Sequence, residues 1–247
     1  MNFFSLFKRH LIYRLKKKIP IDTDKVKFKS LDEFLNHYGS DKAEIFNLTN
    51  KTGHGFSKFY EEYLKNYKNK EINILEIGSY AGASAAAFAK YLPNSNIFCF
   101  DVNISNFKYE SKNIHVFGLD IKNEKKVKKT LQSIFLQHKF LKFDLIIDDG
   151  SHNLDDILVG LKLFFELVKS KGVYIIEDYK YPNYYQYNNN INHILIDEFL
   201  KNLANKKNSI SNIFSEKDQK ILIASIDKIE NLKGNLSDSD ISFITKI

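Results

Sequence analysis

Short apolar runs alternate with amphipathic stretches from residue 71 to the end of the chain. Runs such as INILEIG, NIFCFD, IHVFG, FDLIID and VYIIED have the length and the content of buried strands, and several stretches between them repeat apolar residues at helical spacing. Strands that alternate with helices form a parallel sheet with right-handed crossovers. We therefore predict a doubly wound, Rossmann-like α/β domain over residues 71–247.

The C-terminal tail of this domain has a different pattern. A helical stretch, ILIDEFLKNLA, is followed by two runs with β character, IFSEKDQKILIASI and ISFITKI. Terminal strands of a mainly parallel sheet are commonly antiparallel to the others. The pattern predicts a mainly parallel sheet with an antiparallel C-terminal edge.

Two N-terminal sections precede the domain. Residues 1–20 predict a basic amphipathic helix with one apolar stripe, which consists of Phe3, Phe4, Phe7, Leu11, Ile12 and Leu15. Such a helix packs on the domain or on a subunit partner, or it makes a peripheral contact with an anionic membrane surface. Residues 21–70 predict a helical cap section, in which Ser30 and Glu33 have the spacing of a capping box.

Composition narrows the class of protein. The 247 residues are 43% hydrophobic, which is ample for one α/β domain with additions, and the single cysteine excludes a disulfide framework and suits the cytoplasm. No apolar run is long enough to predict a transmembrane helix. Lys8, Arg9 and Arg14 interrupt the N-terminal apolar residues, so we do not expect this segment to be a secretory signal. The net charge is +7, but no RNA-binding signature accompanies it, and we expect no nucleic-acid partner.

Two of the predicted strands end in carboxylates. Asp148 and Asp149 end one strand and are followed by Gly150, Ser151 and His152, while Glu177 and Asp178 end the next. Ligands of open α/β sheets bind beyond the carboxyl ends of the strands, so these groups are expected at one crevice. Carboxylate oxygens suit a hard cation such as Mg²⁺, and a neutral imidazole can act as a general base. The pattern is typical of a reaction centre.

The turn after the first strand of the domain, LEIGSYAGAS, contains Glu76, Gly78 and Gly82. Glycines at a strand-to-helix junction let the backbone approach a ligand closely. A dinucleotide site would have a second glycine where this chain has Tyr80, which argues against a nicotinamide cofactor. Asp101 ends the second strand, where it could accept hydrogen bonds from ribose hydroxyls, and Asp120 ends the third, where it could receive an adenine amino group.

Over residues 71–247 this order of motifs resembles the class I S-adenosylmethionine (SAM)-dependent methyltransferases. The resemblance implies that the acid and glycines of the first motif surround the methionine part of SAM and that Asp101 holds the ribose. The cofactor-binding residues expected on this basis are Glu76, Gly78, Ser79, Gly82, Asp101, Asp120 and Asp148.

The segments YGSDK, HGFSKFYEEYL, LEIGSYAGAS, DDGSH and IIED narrow this resemblance to bacterial sugar O-methyltransferases of the mycinamicin and macrocin type. In that group the matching residues bind a divalent metal, usually magnesium, which implies metal ligation by Asp149 and Asp178 and general-base catalysis by His152. A third ligand would match Glu61 or, as an alternative, Glu62. The residues expected to cap the cofactor or substrate are Asp41, Lys42, His54 and Tyr179.

The function expected from this resemblance is SAM-dependent methylation of a sugar hydroxyl, with His152 and Asp149 as catalytic residues. The sugar would be nucleotide-activated or a glycan precursor for capsule or lipopolysaccharide, or part of a glycosylated metabolite. Three alternatives stay open: methylation of a catechol or phenol, a hydroxylase-like relative, and a non-catalytic subunit of a glycan assembly complex. A homo-oligomer is expected because related enzymes often form one. The Tyr- and Asn-rich segment 179–190 is either a mobile surface loop or a lid that contacts the substrate.

Overall fold

The computed structural model describes residues 3–247, and it divides the chain into two compact units. The first consists of Met1–Asp120 and Gly234–Ser237, and the second of Ile121–Lys233 and Asp238–Ile247. The organisation into residues 1–20, 21–70 and 71–247 stays a prediction. The side chains of Phe3 and Phe4, assigned to the apolar stripe of the first helix, lie outside the described residues.

The first unit holds the N-terminal sections and the first half of the predicted α/β domain. Its helices are α1 (Phe3–Leu15), α2 (Leu31–Tyr38), α3 (Ser57–Leu64) and α4 (Ala83–Tyr91), and its strands are β1 (Ile19–Pro20), β2 (Ile45–Phe46), β3 (Lys51–Thr52), β4 (Ile72–Ile77), β5 (Ser95–Asp101), β6 (Tyr109–Glu110) and β7 (Ile114–Gly118). The predicted capping box is confirmed: the Ser30 hydroxyl accepts the N–H of Glu33, whose carboxylate accepts the N–H of Ser30.

The second unit continues the alternation of strands and helices. Its helices are α5 (Glu124–His138), α6 (Leu154–Phe164), α7 (Tyr181–Tyr184), α8 (Ile196–Ala204) and α9 (Glu216–Ser225), and its strands are β8 (Phe143–Asp148), β9 (Val168–Ile176), β10 (Ile226–Lys233) and β11 (Asp240–Lys246). The β character predicted for residues 213–226 is wrong over most of its length, because α9 occupies it. A capping box between Ser215 and Asp218 starts this helix and satisfies its first N–H groups.

The longer strands of each unit lie side by side in a sheet. In the first unit the order is β4, β5, β7, all parallel. In the second the order is β10, β11, β9, β8, where β8 and β9 are parallel and β10 and β11 are antiparallel to their neighbours. The predicted Rossmann-like fold, mainly parallel with an antiparallel C-terminal edge, is confirmed.

Aromatic side chains fill the core of each unit. In the first unit, Phe88 of α4 and Phe98 and Phe100 of β5 are fully buried, and in the second unit so are Phe164 of α6 and Tyr174 of β9. Complete burial of such a side chain contributes about 1.5–3 kcal/mol. These cores fix the strands, and the strand ends carry the residues of the candidate site. Within the described residues no helix combines the length and apolar character needed to cross a membrane.

Candidate functional site

The turn between β8 and α6 brings a histidine back toward the carboxylate that ends the strand. His152 has a φ of 55°, in the left-handed region that a non-glycine residue rarely adopts. Its Nε2 lies 3.6 Å from Oδ1 of Asp149. The Ser151 hydroxyl donates to the carboxylate of Asp156 in the first turn of α6, so a hydrogen bond connects the turn to the start of this helix.

The end of β9 supplies the second carboxylate. The backbone N–H of Glu177 donates to the carbonyl of Asp148 at 2.9 Å, which continues the ladder between the two parallel strands. Asp178 then adopts a φ of 48°, again left-handed, and its carbonyl accepts the N–H of Tyr181 at 2.8 Å. The reversal leaves Asp178 largely buried, with 9% of its surface exposed.

These two turns assemble a group that can hold a cation. One ligand atom each from Asp149, His152 and Asp178 lies within 4.8 Å of the others, and it is the one group of carboxylates, imidazoles or thiols within the described residues that meets this spacing. Cis and trans oxygen ligands of an octahedral Mg²⁺ lie about 3 and 4 Å apart, so the observed spacing is close to that of one shared ion. Two carboxylates and an imidazole also suit Mn²⁺. The donor set therefore fits the divalent metal that the sequence predicts.

The structure differs from the sequence expectation in the grouping of these residues. His152, expected as a general base, lies close enough to both carboxylates to be a ligand as well. Glu61, the expected third ligand, is not part of the group, and its Oε1 accepts the backbone N–H of Leu31. Metal ligation by Glu61 stays a prediction.

Asp148 has a different environment from its neighbour. Its Oδ2 accepts the Tyr174 hydroxyl at 3.0 Å, and a Cβ placed on Gly160 would lie 2.4 Å from that oxygen. The pKa of Asp148 is raised to about 7, mainly by burial and in part by the adjacent Asp149, while the hydrogen bond from Tyr174 acts in the opposite direction. The side chain is thus engaged with α6 and β9. Its expected contact with the cofactor stays a prediction.

The glycine-containing turn between β4 and α4 is built from left-handed residues. Gly78, Tyr80 and Gly82 have φ values of 89°, 40° and 77°. A Cβ on Gly82 would lie 2.4 Å from the ring of Phe107, so this position needs glycine for packing as well as for its backbone. Asp101, at the end of β5, accepts the N–H of Tyr80 at 2.8 Å and secures the turn.

Other predicted cofactor residues surround the same turn. Glu76 is fully buried and accepts a hydrogen bond from Ser84 at the start of α4. Ser79 is buried and donates to the carbonyl of Glu76 at 3.3 Å. Asp120 is half-buried just beyond β7. The fold gathers these residues at the carboxyl ends of β4, β5 and β7, where the prediction places a ligand, and their binding of SAM stays a prediction.

The predicted cap residues lie at two places in the chain. Asp41 and Lys42 precede β2 and His54 follows β3, and the carbonyl of Asp41 accepts the N–H of His54 at 2.7 Å. Lys42 is buried, with 2% of its surface exposed. Tyr179, in the second unit, is also buried and donates its backbone N–H to the carbonyl of Asp240 at 3.2 Å. None of these contacts tests a role in substrate capping.

Tyr181 is a site residue that sequence reasoning did not single out. Its ring centroid lies 5.6 Å from that of His152 and 4.4 Å from that of Tyr185, which in turn lies 6.0 Å from that of Tyr187. The tyrosine-rich composition of the segment marked it as a candidate substrate loop, but only the turn at Asp178 and the start of α7 determine which ring meets the histidine.

The sheet order, the glycine turn after β4 and the carboxylates at the strand ends define the fold of SAM-dependent methyltransferases. In sequence the chain is distantly similar to O-methyltransferases. It is 26% identical over 155 residues to mycinamicin VI 2''-O-methyltransferase of Micromonospora griseorubida, a match that covers 57% of this chain and 37% of that protein. It is 27% identical over 140 residues to demethylmacrocin O-methyltransferase of Streptomyces fradiae, covering 53% of this chain and 34% of that protein.

A solved structure supports the same fold. The mycinamycin-pathway methyltransferase MycE, in complex with Mg, SAH and mycinamycin VI, superimposes with a TM-score of 0.66 at 18% identity over 89% of this chain and 55% of that one. The chain thus spans about a third of the length of the two curated relatives. No protein-family model matches it.

Proposed function

We propose that this chain is a SAM-dependent O-methyltransferase that methylates a hydroxyl group of a sugar and uses a divalent metal. The observation that carries the proposal is the grouping of Asp149, His152 and Asp178 within 4.8 Å at the carboxyl ends of β8 and β9. Support comes from relatives that are named as O-methyltransferases, one of which has a rhamnosyl tetracenomycin C in its name, and from the Mg in the MycE complex.

In the proposed reaction the sugar hydroxyl attacks the methyl carbon of SAM in line with the carbon–sulfur bond. The electron pair of that bond passes to sulfur, and the hydroxyl proton passes to Nε2 of His152. A bound Mg²⁺ would lower the pKa of the hydroxyl and fix its position. Asp149 and Asp178 would hold that ion, and alignment and proton removal each contribute roughly 10²-fold or more.

The residues around His152 suit it to the role of base. Asp149, at 3.6 Å, stabilises the imidazolium that forms when the ring takes a proton. The ring of Tyr181 lies beside the imidazole, with the two ring centroids 5.6 Å apart. His152 is also 21% exposed through its side chain, which leaves it open to a substrate.

The cofactor role falls to residues of the first unit. Backbone groups at Gly78, Ser79 and Gly82 would approach the methionine part of SAM, while Glu76 and Asp101 accept hydrogen bonds from its amino group and ribose. Asp120 and Asp148 complete the proposed set. We further propose that the bound ligands are capped by Asp41, Lys42, His54 and Tyr179. The proposed acceptor is a nucleotide-activated or glycan-precursor sugar for capsule or lipopolysaccharide, or a glycosylated metabolite. We also propose that the protein works in the cytoplasm as a homo-oligomer.

The test is a direct assay of product formation. The purified full chain is incubated with SAM and a panel of nucleotide-linked and free hexoses, heptoses and deoxysugars, with Mg²⁺ or with EDTA, and products are analysed by mass spectrometry. We expect one sugar to gain a single methyl group only when Mg²⁺ is present. A methylated sugar that forms equally in EDTA would contradict the metal role, and methylation of catechol but no sugar would contradict the substrate class.

Variants separate the roles of the site residues. His152→Gln should lower kcat by roughly 10²-fold or more while divalent-ion binding is reduced far less than in Asp149→Asn. His138→Gln, which changes a histidine at the end of α5, is the matched control and should keep wild-type activity. Equal loss of metal binding in the His152 and Asp149 variants would make the histidine a ligand rather than the base.

A further inference from the structure

Helix α1 is attached to the first unit through one of its faces. His10 Nε2 lies 3.0 Å from the carbonyl oxygen of Gly118, and Arg9 donates to the carbonyl of Val102 at 2.9 Å. One turn further on, the Tyr13 ring packs edge-on against Phe107 at 6.4 Å. Lys16, just past the helix, donates to the carbonyls of Ser105 and Asn106 at 3.1 and 3.0 Å. The sequence alternative of a helix packed on the domain is therefore correct for this face.

The opposite face of α1 is apolar and exposed. Phe7, Leu11 and Leu15 succeed one another at intervals of four residues, so they form one stripe along the helix. Their exposed fractions are 61%, 48% and 78%. A packed helix normally turns its apolar stripe toward the core, whereas here polar and aromatic side chains make the attachment and the apolar stripe faces away from it.

Cations border this stripe on both sides. At helical spacing Lys8 lies along one edge and Arg14 along the other, and both are exposed, as is Lys17 directly after the helix. The first 20 residues contain six basic residues and no acidic residue, against a net charge of +7 for the whole chain. The first 20 residues thus carry a large share of the net charge, and three of their cations, Lys8, Arg14 and Lys17, border the exposed apolar stripe.

We propose that α1 attaches this chain to the surface of an anionic lipid bilayer. An apolar stripe flanked by lysine and arginine matches such a surface, because the side chains enter the acyl boundary while the cations meet the negative head groups. Pairing with a second copy fits less well, because two such stripes would bring the bordering cations of both copies together without any acidic residue among the first 20 to neutralise them. The proposal is independent of the proposed catalytic activity.

The experiment is flotation of the full chain with vesicles. Vesicles of phosphatidylcholine are compared with vesicles that also contain phosphatidylglycerol, at low and at high salt. We expect binding to the anionic vesicles, weaker binding in high salt, and little binding to phosphatidylcholine alone. If the chain does not bind the vesicles that contain phosphatidylglycerol, the proposal is wrong.

Two sets of variants test the stripe and its cations separately. Replacement of Phe7, Leu11 and Leu15 by Ser should reduce partitioning about tenfold or more, whereas Leu136→Ser, at an exposed leucine of α5, should not. Replacement of Lys8, Arg14 and Lys17 by Gln should abolish the preference for phosphatidylglycerol. A control variant loses the same number of positive charges elsewhere, through replacement by Gln of the exposed residues Lys125, Lys129 and Lys142.

Circular dichroism establishes that each variant remains folded. Analytical ultracentrifugation tests the alternative that a second copy of the chain covers the stripe. If both control sets lose binding as strongly as the α1 variants, the attraction is general charge or apolar content rather than α1, and the proposal is wrong. It is also wrong if the wild type is an oligomer that the three serine substitutions dissociate while vesicle binding persists.

Discussion

At the scale of single residues, left-handed backbone occurs at three candidate-site residues, as it also does at Asn50, Lys139, Lys171 and Lys206 elsewhere in the chain. His152 and Asp178, two of the three residues of the metal group, have φ values of 55° and 48°. Tyr80, in the predicted cofactor turn, has a φ of 40°. Such a conformation costs about 1–3 kcal/mol for a non-glycine residue and persists where the surrounding structure imposes it. At His152 and Asp178 this backbone conformation accompanies the grouping of the side chains with Asp149, and this grouping distinguishes them from the other left-handed residues.

The buried Asp148 gives a prediction on pH and stability. Burial raises its pKa from 3.8 to about 7, so between these values the folded state keeps a proton that the unfolded state releases. The free energy of unfolding should therefore fall as the pH rises from 4 to 7, by at most about 4 kcal/mol from this group, and stay level above that. Asp148→Asn can still accept the Tyr174 hydroxyl and should be more stable than the wild type at pH 8.

Urea denaturation of the wild type and of Asp148→Asn at pH 5 and pH 8 checks this prediction. The wild type should lose more stability between the two pH values than the variant does. Asp144→Asn, at a half-buried carboxylate that pairs with Lys169 at 2.8 Å, serves as control and should leave the contribution of Asp148 unchanged. The same loss of stability in Asp148→Asn as in the wild type would show that another group is responsible.

At the scale of elements, local signals explain which predictions were right. The strands β4, β5, β7, β8 and β9 were predicted because each is a short apolar run between helical stretches. In residues 213–226 the run ILIASI suggested a strand, and α9 formed instead because Ser215 and Asp218 cap its start. The Ser-x-x-Asp spacing, which favours a helix, is visible in the sequence, as is the apolar run, which favours a strand. The helix prevails in the folded chain, where the side chain of Leu222 is buried by tertiary packing.

The cap of α9 can be tested by substitution. The Ser215 hydroxyl accepts the N–H of Asp218 at 3.1 Å, and the Asp218 carboxylate accepts the N–H of Ser215 at the same distance. Ser215→Ala should lower the free energy of unfolding by about 1 kcal/mol, as measured by urea denaturation. Ser225→Ala, at the other end of the helix, removes only a hydroxyl bonded to the carbonyl of Ile221 and should cost less. Equal costs would contradict a special role for the cap.

At the scale of the whole molecule, the sequence predicted which strand ends carry chemistry but not how the side chains meet. Parallel strands bring their carboxyl ends to one edge, so Asp149 and Asp178 could be predicted as neighbours. The proximity of His152 to both depends on two left-handed turns that no local pattern reveals. The contact of Tyr181 with His152 depends on the chain reversal after Asp178, which places α7. The exposed stripe of α1 likewise requires knowledge of which face is attached.

The proposed activity divides between the two units, which allows its halves to be measured separately. The metal residues lie in the second unit, and the cofactor residues other than Asp148 lie in the first. Asp149→Asn combined with Asp178→Asn should weaken Mn²⁺ binding at least about tenfold and leave SAH binding nearly unchanged, because each lost carboxylate removes a hard ligand from the ion. Asn also tolerates the left-handed backbone at position 178, so the double variant should stay folded.

Asp101→Asn should give the opposite result, with weaker SAH binding and unchanged Mn²⁺ binding, since a carboxylate accepts hydrogen bonds from ribose more strongly than an amide does. Both affinities are measured by isothermal titration calorimetry, with Asp227→Asn, an exposed carboxylate paired to Lys171, as the control. If the double variant still binds Mn²⁺ as the wild type does, the metal has no place in the proposed mechanism. The cofactor proposal would still be supported in that case if Asp101→Asn loses only SAH binding. The two measurements therefore test the cofactor and the metal independently, without knowledge of the sugar.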